Sequence, residues 1–194
     1  MIRHIRTAIR FLLFSTVLFG VAYPFCIWLV AHVFFPFSAE GQPVVCGGKV
    51  VGISSVGQSF SQDQYFWPRP SAIGKEAGPL LVSRASNLSW SSAHLRSAVE
   101  SRLQSWRMTS GGAMPFVPDD LVMASASGLD PEISIKAALF QTPRVAKTRG
   151  ISDEELCALI YHMEERTLLG LFPRRVNVLQ LNCELDRHYG TGNE

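Results

Sequence analysis

The sequence predicts an α+β protein in which a single N-terminal transmembrane helix is followed by one mixed soluble domain. An uncharged apolar run over residues 11–35 is long enough to cross a bilayer. The rest of the chain mixes helical periodicity with short β-branched pieces, without a regular βαβ rhythm or an internal repeat. A hydrophobic share of 47% with 18% charged residues excludes a wholly disordered chain.

The apolar run contains no Lys, Arg, Asp or Glu, and a helix over residues 11–35 spans about 37 Å. It therefore crosses a hydrocarbon core of about 30 Å with some tilt. The alternative is a cleaved secretory signal, whose apolar part has about 7 to 15 residues and ends at a small-x-small site. Only residues 29–31 approach such a site, and they lie inside the run. We expect an uncleaved anchor with a local kink at Pro24.

Charge divides the chain into a basic N-terminal segment, residues 1–10, and a nearly neutral remainder. Three arginines precede the apolar run and a single lysine follows it closely: Arg3, Arg6, Arg10 and Lys49. Cytoplasmic flanks of membrane spans are enriched in Lys and Arg. We therefore expect a single-pass protein of the inner membrane, with a cytoplasmic N-terminus and an extracytoplasmic domain over residues 36–194. The rest of the chain contains 15 basic and 16 acidic residues, and this balance excludes a cationic surface large enough to bind nucleic acid.

The cysteines do not form a zinc motif, because there is no CxxC pair and no neighbouring histidine. Cys26 lies inside the apolar run. One disulfide among Cys46, Cys157 and Cys183 is compatible with an oxidising compartment and leaves one thiol over. The alternative is that all three are unpaired, buried side chains that act as small hydrophobes.

The first part of the soluble domain is predicted to be irregular. Frequent Gly, Pro and Ser between residues 36 and 90 leave only short strands at residues 49–51 and near 56–60. A helix follows, because four apolar residues share one helical stripe: Leu95, Val99, Leu103 and Trp106. We expect Gly111 and Gly112 to end it.

The second part contains the clearest helix signals. Residues 120–124 are predicted to be extended, and Ser134 is a candidate N-cap for a helix that Pro143 breaks or restarts, because proline lacks an amide hydrogen. Gly150 marks the end of that segment. A capping box begins at Ser152, and the clearest helical stripe in the chain follows it: Leu156, Leu159, Ile160 and Met163.

The last predicted element is a strand. Residues 176–181 form a compact apolar run, β-branched at its start, before a short charged end.

Motifs for independent catalysis are absent from the sequence. It has no GxxxxGK[ST] or GxGxxG loop, no GxSxG elbow and no paired histidines with metal-ligand spacing. The competing functional class is a membrane-anchored extracytoplasmic serine hydrolase that uses Ser125 or Ser127 with a distant histidine. A free-standing envelope-binding protein is a third class.

Two polar motifs lie inside apolar runs. Pro68 and Pro70 restrict the backbone on both sides of Arg69, which follows three aromatic residues. The alternative is a rigid surface loop in which Arg69 stacks on these neighbours. In the second motif, small residues at 125–128 permit close backbone approach, and Asp130 can cap the turn into the helix from Ser134. The alternative is a structural tight turn packed under a helix.

In order along the chain, these segments resemble the C chain of the Kdp-type potassium-transporting P-type ATPase. The resemblance extends from the span to the C-terminus, and its most specific runs are Ser-Gly-Leu-Asp-Pro at 127–131 and Gln-x-x-Arg-Val-Ala at 141–146. It departs at residues 83–88, where Arg84 and Ala85 stand in place of two glycines. Other matching runs lie at residues 57–60, 69–72, 86–88, 118–122 and 176–186.

The resemblance implies a non-catalytic accessory subunit of a high-affinity, ATP-driven potassium uptake complex. Its partners are a channel-like potassium-binding subunit and a P-type ATPase subunit, and potassium is the transported ion. The subunit alone binds no metal and no cofactor.

Two expectations about site residues follow. The family is described as a catalytic chaperone that raises the ATP affinity of the hydrolysing subunit, which implies nucleotide contact at Gln141 and Arg144, three apart on one helical face. The charge asymmetry instead separates the domain from ATP, so we expect a role in assembly and at the potassium entrance. The residues expected to face partner chains are Arg69, Ser127, Asp130 and Asn177.

Overall fold

The computed structural model describes residues 2–73, 82–109, 116–165 and 173–190. The chain divides into two compact units, Met1–Pro43 and Val44–Glu194.

The first unit is dominated by one long helix, from Ile2 to Phe34, that is apolar enough and long enough to cross a membrane. It consists of α1 (Ile2–Val17), a π turn (Leu18–Ala22) and α2 (Tyr23–Phe34), with the short α3 (Pro36–Ala39) after it. The helix begins before residue 11, because the basic N-terminal segment is also helical. Its large apolar side chains are exposed, which is typical of a helix that faces lipid.

The distortion expected at Pro24 takes the form of the π turn. Proline has no amide hydrogen for the carbonyl four residues earlier, so the regular helical ladder cannot continue through it. Just before the proline, the Tyr23 N–H donates to the carbonyl of Leu18, one residue further back than in an α-helix. The helix therefore passes the proline without ending.

Within its described residues, the second unit contains four α-helices and two small sheets. Strands β1 (Pro43–Cys46) and β2 (Lys49–Ile53) pair with each other, and β3 (Glu132–Ser134) pairs antiparallel with β4 (Arg175–Asn177). The helices are α4 (Ala93–Thr109), α5 (Ile135–Arg149), α6 (Asp153–His162) and α7 (Val178–Tyr189). The predicted α+β class is confirmed.

The core of this unit is built between α5, α6, α7 and the β3–β4 pair. In the central register Ile133 faces Val176, and both side chains are buried. One loop residue, Phe66, is also fully buried in this core. The other fully buried apolar side chains include Leu121, Val145, Leu156, Ile160, Leu181 and Leu185.

Three helix predictions are confirmed. The stripe of α4 faces the core, with Trp106 buried and Val99 and Leu103 packed beside it. The α6 capping box is present in both directions between Ser152 and Glu155. Ser134 caps α5 and Gly150, with φ of 69°, ends it. Gly111 and Gly112, expected to end α4, lie outside the described residues.

Pro143 does not break or restart its helix, so that prediction is wrong. α5 continues from Ile135 to Arg149 with the proline inside it. The proline removes one intrahelical hydrogen bond, but both flanking turns bury apolar side chains, including Ala138 and Val145. Tertiary packing of this helical face therefore outweighs the local cost.

The strand predicted at residues 176–181 is also wrong beyond its first part. Only Arg175–Asn177 is extended, and helix α7 begins at Val178. Asn177 is its N-cap, since its side-chain oxygen accepts a hydrogen bond from the Gln180 N–H at 3.1 Å. A short apolar run is compatible with a strand or a helix. Here the N-cap at Asn177, the second residue of the run, starts a helix.

Two further predictions of short extended segments are also wrong. Residues 56–60 form no strand, although the neighbouring prediction at residues 49–51 is confirmed by β2. The expected extended segment at residues 120–124 begins as a 3₁₀ turn, Asp119–Leu121, which buries Leu121.

Candidate functional site

The loop over residues 62–71, which we call the aromatic loop, is held by amide side chains from two helices. The Phe66 N–H donates to Asn182 Oδ1 at 2.8 Å, and Asn182 Nδ2 donates back to the Phe66 carbonyl at 3.0 Å. Trp67 is held in the same way by Gln141, at 2.7 and 3.1 Å. Both amides are almost fully buried, at 1% exposure for Gln141 and 2% for Asn182. Each amide therefore pairs with the loop as a neighbouring strand would.

Arg144 extends this contact from the next turn of α5. Its guanidinium donates to Gln141 Oε1 at 2.8 Å and to the Tyr65 carbonyl at 3.0 Å. Its guanidinium carbon lies 4.0 Å from the centroid of a Trp67 ring, in a cation–π contact. Burial lowers the pKa of Arg144 to about 10. Gln141 and Arg144 therefore do share one helical face, and that face is turned towards the aromatic loop.

Arg149, at the end of α5, forms a second cationic contact with the loop. It donates to the Gln64 carbonyl at 2.8 Å and pairs with Asp186 of α7 at 2.6 Å. Its guanidinium carbon lies 5.0 Å from the ring centroid of Tyr65, whose hydroxyl donates to Asp186 at 3.0 Å. Burial is the main cause that raises the pKa of Tyr65, and the Asp186 carboxylate adds to it.

Arg69 pairs with Asp130 at 2.7 Å, and both side chains are largely buried. This ion pair joins the aromatic loop to the turn over residues 125–131, which we call the Ser-Gly turn. The other oxygen of Asp130 accepts from the Glu132 N–H at 3.1 Å, so Asp130 caps the turn that leads into β3, and the helix that follows is capped by Ser134. The cation that stacks on Trp67 is Arg144, in place of the stacking considered for Arg69.

The serine hydroxyls of the Ser-Gly turn form hydrogen bonds within the turn itself. Ser125 Oγ and Ser127 Oγ lie 3.1 Å apart, and they accept from the backbone N–H groups of Gly128 at 3.2 Å and Leu129 at 3.1 Å. All five histidines are among the described residues, and none of them is hydrogen-bonded to either hydroxyl. The geometry therefore gives no support to the serine hydrolase class.

Small residues in this turn allow close contact with other loops. Gly128 has φ of 71°, and a Cβ there would lie 2.8 Å from the Arg84 carbonyl oxygen. A Cβ on Gly57 would lie 2.6 Å from the carbonyl oxygen of Asp130. The expected close backbone approach is confirmed.

Arg84 and Ala85 fit the backbone at the point where the motif departs from its usual glycines. The described non-glycine residues with positive φ are Gln42 and Asn87, so neither substituted position requires a left-handed conformation. The Arg84 N–H donates to the Ser127 carbonyl at 2.9 Å. The loop therefore keeps a backbone contact with the Ser-Gly turn despite the two substitutions.

The four residues expected to face partners differ in exposure. Ser127 is exposed, whereas Arg69 and Asp130 are paired with each other and only partly exposed. Asn177 is buried, caps α7, and donates from Nδ2 to the Ser54 carbonyl at 2.7 Å. Its side chain therefore acts inside the unit.

Sequence reasoning did not assign a role at this site to Arg149, Asp186 or Asn182. The available signal was a polar residue on an otherwise apolar helical face, as for Asn182 between Leu181 and Leu185. Such a residue needs a buried partner. Its partner, Phe66, lies 116 residues away in the sequence.

Comparison with known proteins matches these elements to one family. The family model described as "K+-transporting ATPase, c chain" (KdpC) matches residues 5–187. The chain belongs to the KdpC family. The KdpC match includes the apolar helix, the aromatic loop, the Ser-Gly turn and helices α5 to α7.

Individual KdpC relatives agree over almost their whole length. A potassium-transporting ATPase KdpC subunit of Janthinobacterium sp. (strain Marseille) is 42% identical over 183 residues, covering 94% of this chain and 97% of the relative. One from Leptospira interrogans is 41% identical, covering 96% and 95%. One from Geotalea uraniireducens is 42% identical, covering 95% and 98%. The resemblance drawn from the motifs is confirmed.

Proposed function

We propose that this chain is a non-catalytic accessory subunit of an ATP-driven potassium uptake complex. In that complex it assembles with a channel-like potassium-binding subunit and with the P-type subunit that hydrolyses ATP. The near-complete match to the KdpC family carries this proposal, because it covers both the candidate span and the soluble unit.

The proposed orientation places the N-terminus in the cytoplasm and the second unit outside it, at the inner membrane. Three arginines lie in α1 before the uncharged part of the helix, and this asymmetry supports the orientation. In this position the soluble unit contributes to assembly and acts near the entrance for potassium.

The ATP-related role described for the family is proposed here as an indirect one. The amide of Gln141 is engaged by Trp67, and Arg144 is engaged by Gln141 and the aromatic loop. These residues therefore support a catalytic chaperone by positioning the aromatic loop against a partner chain. ATP binding belongs to the hydrolysing subunit in this proposal.

Co-expression with the two other subunits tests the function. The tagged chain should co-purify with both, and potassium-stimulated ATP hydrolysis should be lost when this chain is omitted. Gly20→Leu tests the helix as a contact surface, with Val21→Leu as the matched control, because a small residue lets a neighbouring helix approach closely. Full activity without this chain, or ester hydrolysis by the chain alone, would overturn the proposal.

A further inference from the structure

Two cysteines from distant parts of the second unit face each other. Cys46 ends β1, and Cys183 lies in α7, 137 residues further along the chain. The Cys46 thiol donates to the carbonyl of Cys183 at 3.5 Å, and the Cys183 thiol donates to the carbonyl of Val45 at 3.6 Å. Each sulfur therefore lies against the backbone that carries the other.

Both cysteines also lie beside one cavity. Burial raises the pKa of Cys183 to about 12, and a hydrogen bond with the Cys46 side chain adds to the shift. Both residues line a cavity of about 220 Å³ with Gln58, Tyr65 and Asp186. Cys46 is the more exposed of the two, so a small disulfide oxidant reaches it first.

We infer that Cys46 and Cys183 form an intramolecular disulfide that ties the first hairpin of the soluble unit to its C-terminal helix. This inference goes beyond the proposed function and does not rest on it. Its chemistry depends on two sulfurs that the fold brings together and on a small disulfide that oxidises them.

The bond forms by thiol–disulfide exchange with a small disulfide such as oxidised glutathione. The Cys46 thiolate attacks one sulfur of the oxidant and expels the first glutathione as a thiolate, leaving a mixed disulfide. The Cys183 thiol loses its proton to solvent, and its sulfur attacks the Cys46 sulfur and expels the second glutathione. Two protein thiols are oxidised to one disulfide, and one oxidised glutathione is reduced to two thiols.

Cys157 supplies the internal control. It lies in α6 and is partly exposed, and it contributes to neither the thiol contact nor the cavity lining. A pairing set by chance collision would involve Cys157 as well. A pairing set by the fold involves only Cys46 and Cys183.

The test uses the full chain in mild detergent, first reduced and then exposed to oxidised glutathione. After denaturation and alkylation, peptide mass spectrometry should find Cys46 linked to Cys183, with two of the four cysteines alkylated. Cys157→Ser should keep the link, and Cys46→Ser should lose it. Four alkylated cysteines, a persistent mixed disulfide or links to Cys157 would overturn the inference.

Thermal unfolding gives a second readout. Closing a loop of this length restricts the unfolded chain, so oxidation should raise Tm by roughly 5 °C or more. The same treatment should leave the Tm of Cys46→Ser unchanged. An equal rise of Tm in both proteins would show that the oxidant acts elsewhere and would contradict the inferred disulfide.

Discussion

The side chain of Gln141 is hydrogen-bonded to both backbone polar groups of Trp67, at 2.7 and 3.1 Å. Asn182 makes the equivalent pair with Phe66, so two helices together satisfy the polar groups of a loop dipeptide that belongs to no strand. Pro68 then removes the next backbone donor. The amides therefore do for this loop what a neighbouring strand does in a sheet.

The first prediction concerns Gln141. Gln141→Ala leaves the partly buried N–H and carbonyl of Trp67 without the partner they have in the fold, and a fully buried unpaired group costs about 1–3 kcal/mol. We expect Tm and potassium-stimulated ATP hydrolysis by the complex to fall together. Gln104→Ala, on an exposed position of α4, is the matched control and should change stability by no more than about 0.5 kcal/mol. An unchanged Tm in Gln141→Ala would restore a purely functional role for this residue.

The distance between partners explains which parts of this site could be predicted. The capping box at Ser152 and the shared face of Gln141 and Arg144 depend on residues three apart, so periodicity is sufficient to find them. The contact of Gln141 with Trp67 joins residues 74 apart. No local pattern contains that information. Nucleotide contact at Gln141 and Arg144 follows only from the family resemblance, and it stays a prediction.

The same limit applies to secondary structure. The start of α7 was predicted as a strand because residues 176–181 are apolar and β-branched at the beginning. In the fold, β3 pairs with only two residues of this run, Val176 and Asn177, and Asn177 then caps a helix whose face packs into the core. Tertiary packing thus decided between two states that the local sequence left nearly equal.

The second prediction concerns the ion pair between Arg69 and Asp130. Because both side chains are largely buried, Arg69→Gln and Asp130→Asn should each destabilise the chain, and the double variant should lose less than the sum. We expect a coupling energy of about 1–3 kcal/mol, measured by denaturant unfolding. Additive losses would show that the two residues act independently.

The third prediction separates conformational strain from steric contact at glycine. Gly128 and Gly150 have nearly equal φ angles, of 71° and 69°, but only Gly128 has backbone and side-chain atoms close to the position of a Cβ. Gly150→Ala should cost about 1 kcal/mol through strain alone. Gly128→Ala should cost clearly more, because the methyl group would meet Ile73 and Arg84. Equal losses of Tm in the two variants would mean that the Ser-Gly turn accommodates the added methyl group without further destabilisation.

The fourth prediction concerns the pH dependence of stability through Glu165. Burial, reinforced by the Glu132 carboxylate, raises the pKa of Glu165 above its ordinary value of 4.5. The folded state therefore holds this proton more tightly than the unfolded state. The resulting stability is fully present below about pH 4.5 and is lost as pH rises through the folded pKa.

Glu165→Gln removes this dependence. The variant should match the original chain at pH 4 and exceed its Tm by about 1–2 °C at pH 7. The rise is small because the burial of Glu165 is only partial and solvent screens much of its charge. The backbone hydrogen bond from Glu165 to the Arg175 carbonyl is retained in the variant. Glu164→Gln, which instead breaks a surface pair with Arg174, is the control and should not raise Tm. Parallel pH profiles for Glu165→Gln and the original chain would contradict the assignment.

The last prediction concerns orientation in the membrane. Alkaline phosphatase, which is active only outside the cytoplasm, should be active when it is fused after Glu194, because in the proposed orientation the arginines before the uncharged part of the helix keep the N-terminus inside. Replacing all three arginines with glutamate removes that bias and should lower the reporter activity per molecule of fusion protein, while Lys49→Glu should not. A reporter active only in the cytoplasm, fused at the same position, should give no signal. A strong cytoplasmic signal would reverse the proposed orientation and would place the aromatic loop in the compartment that contains ATP.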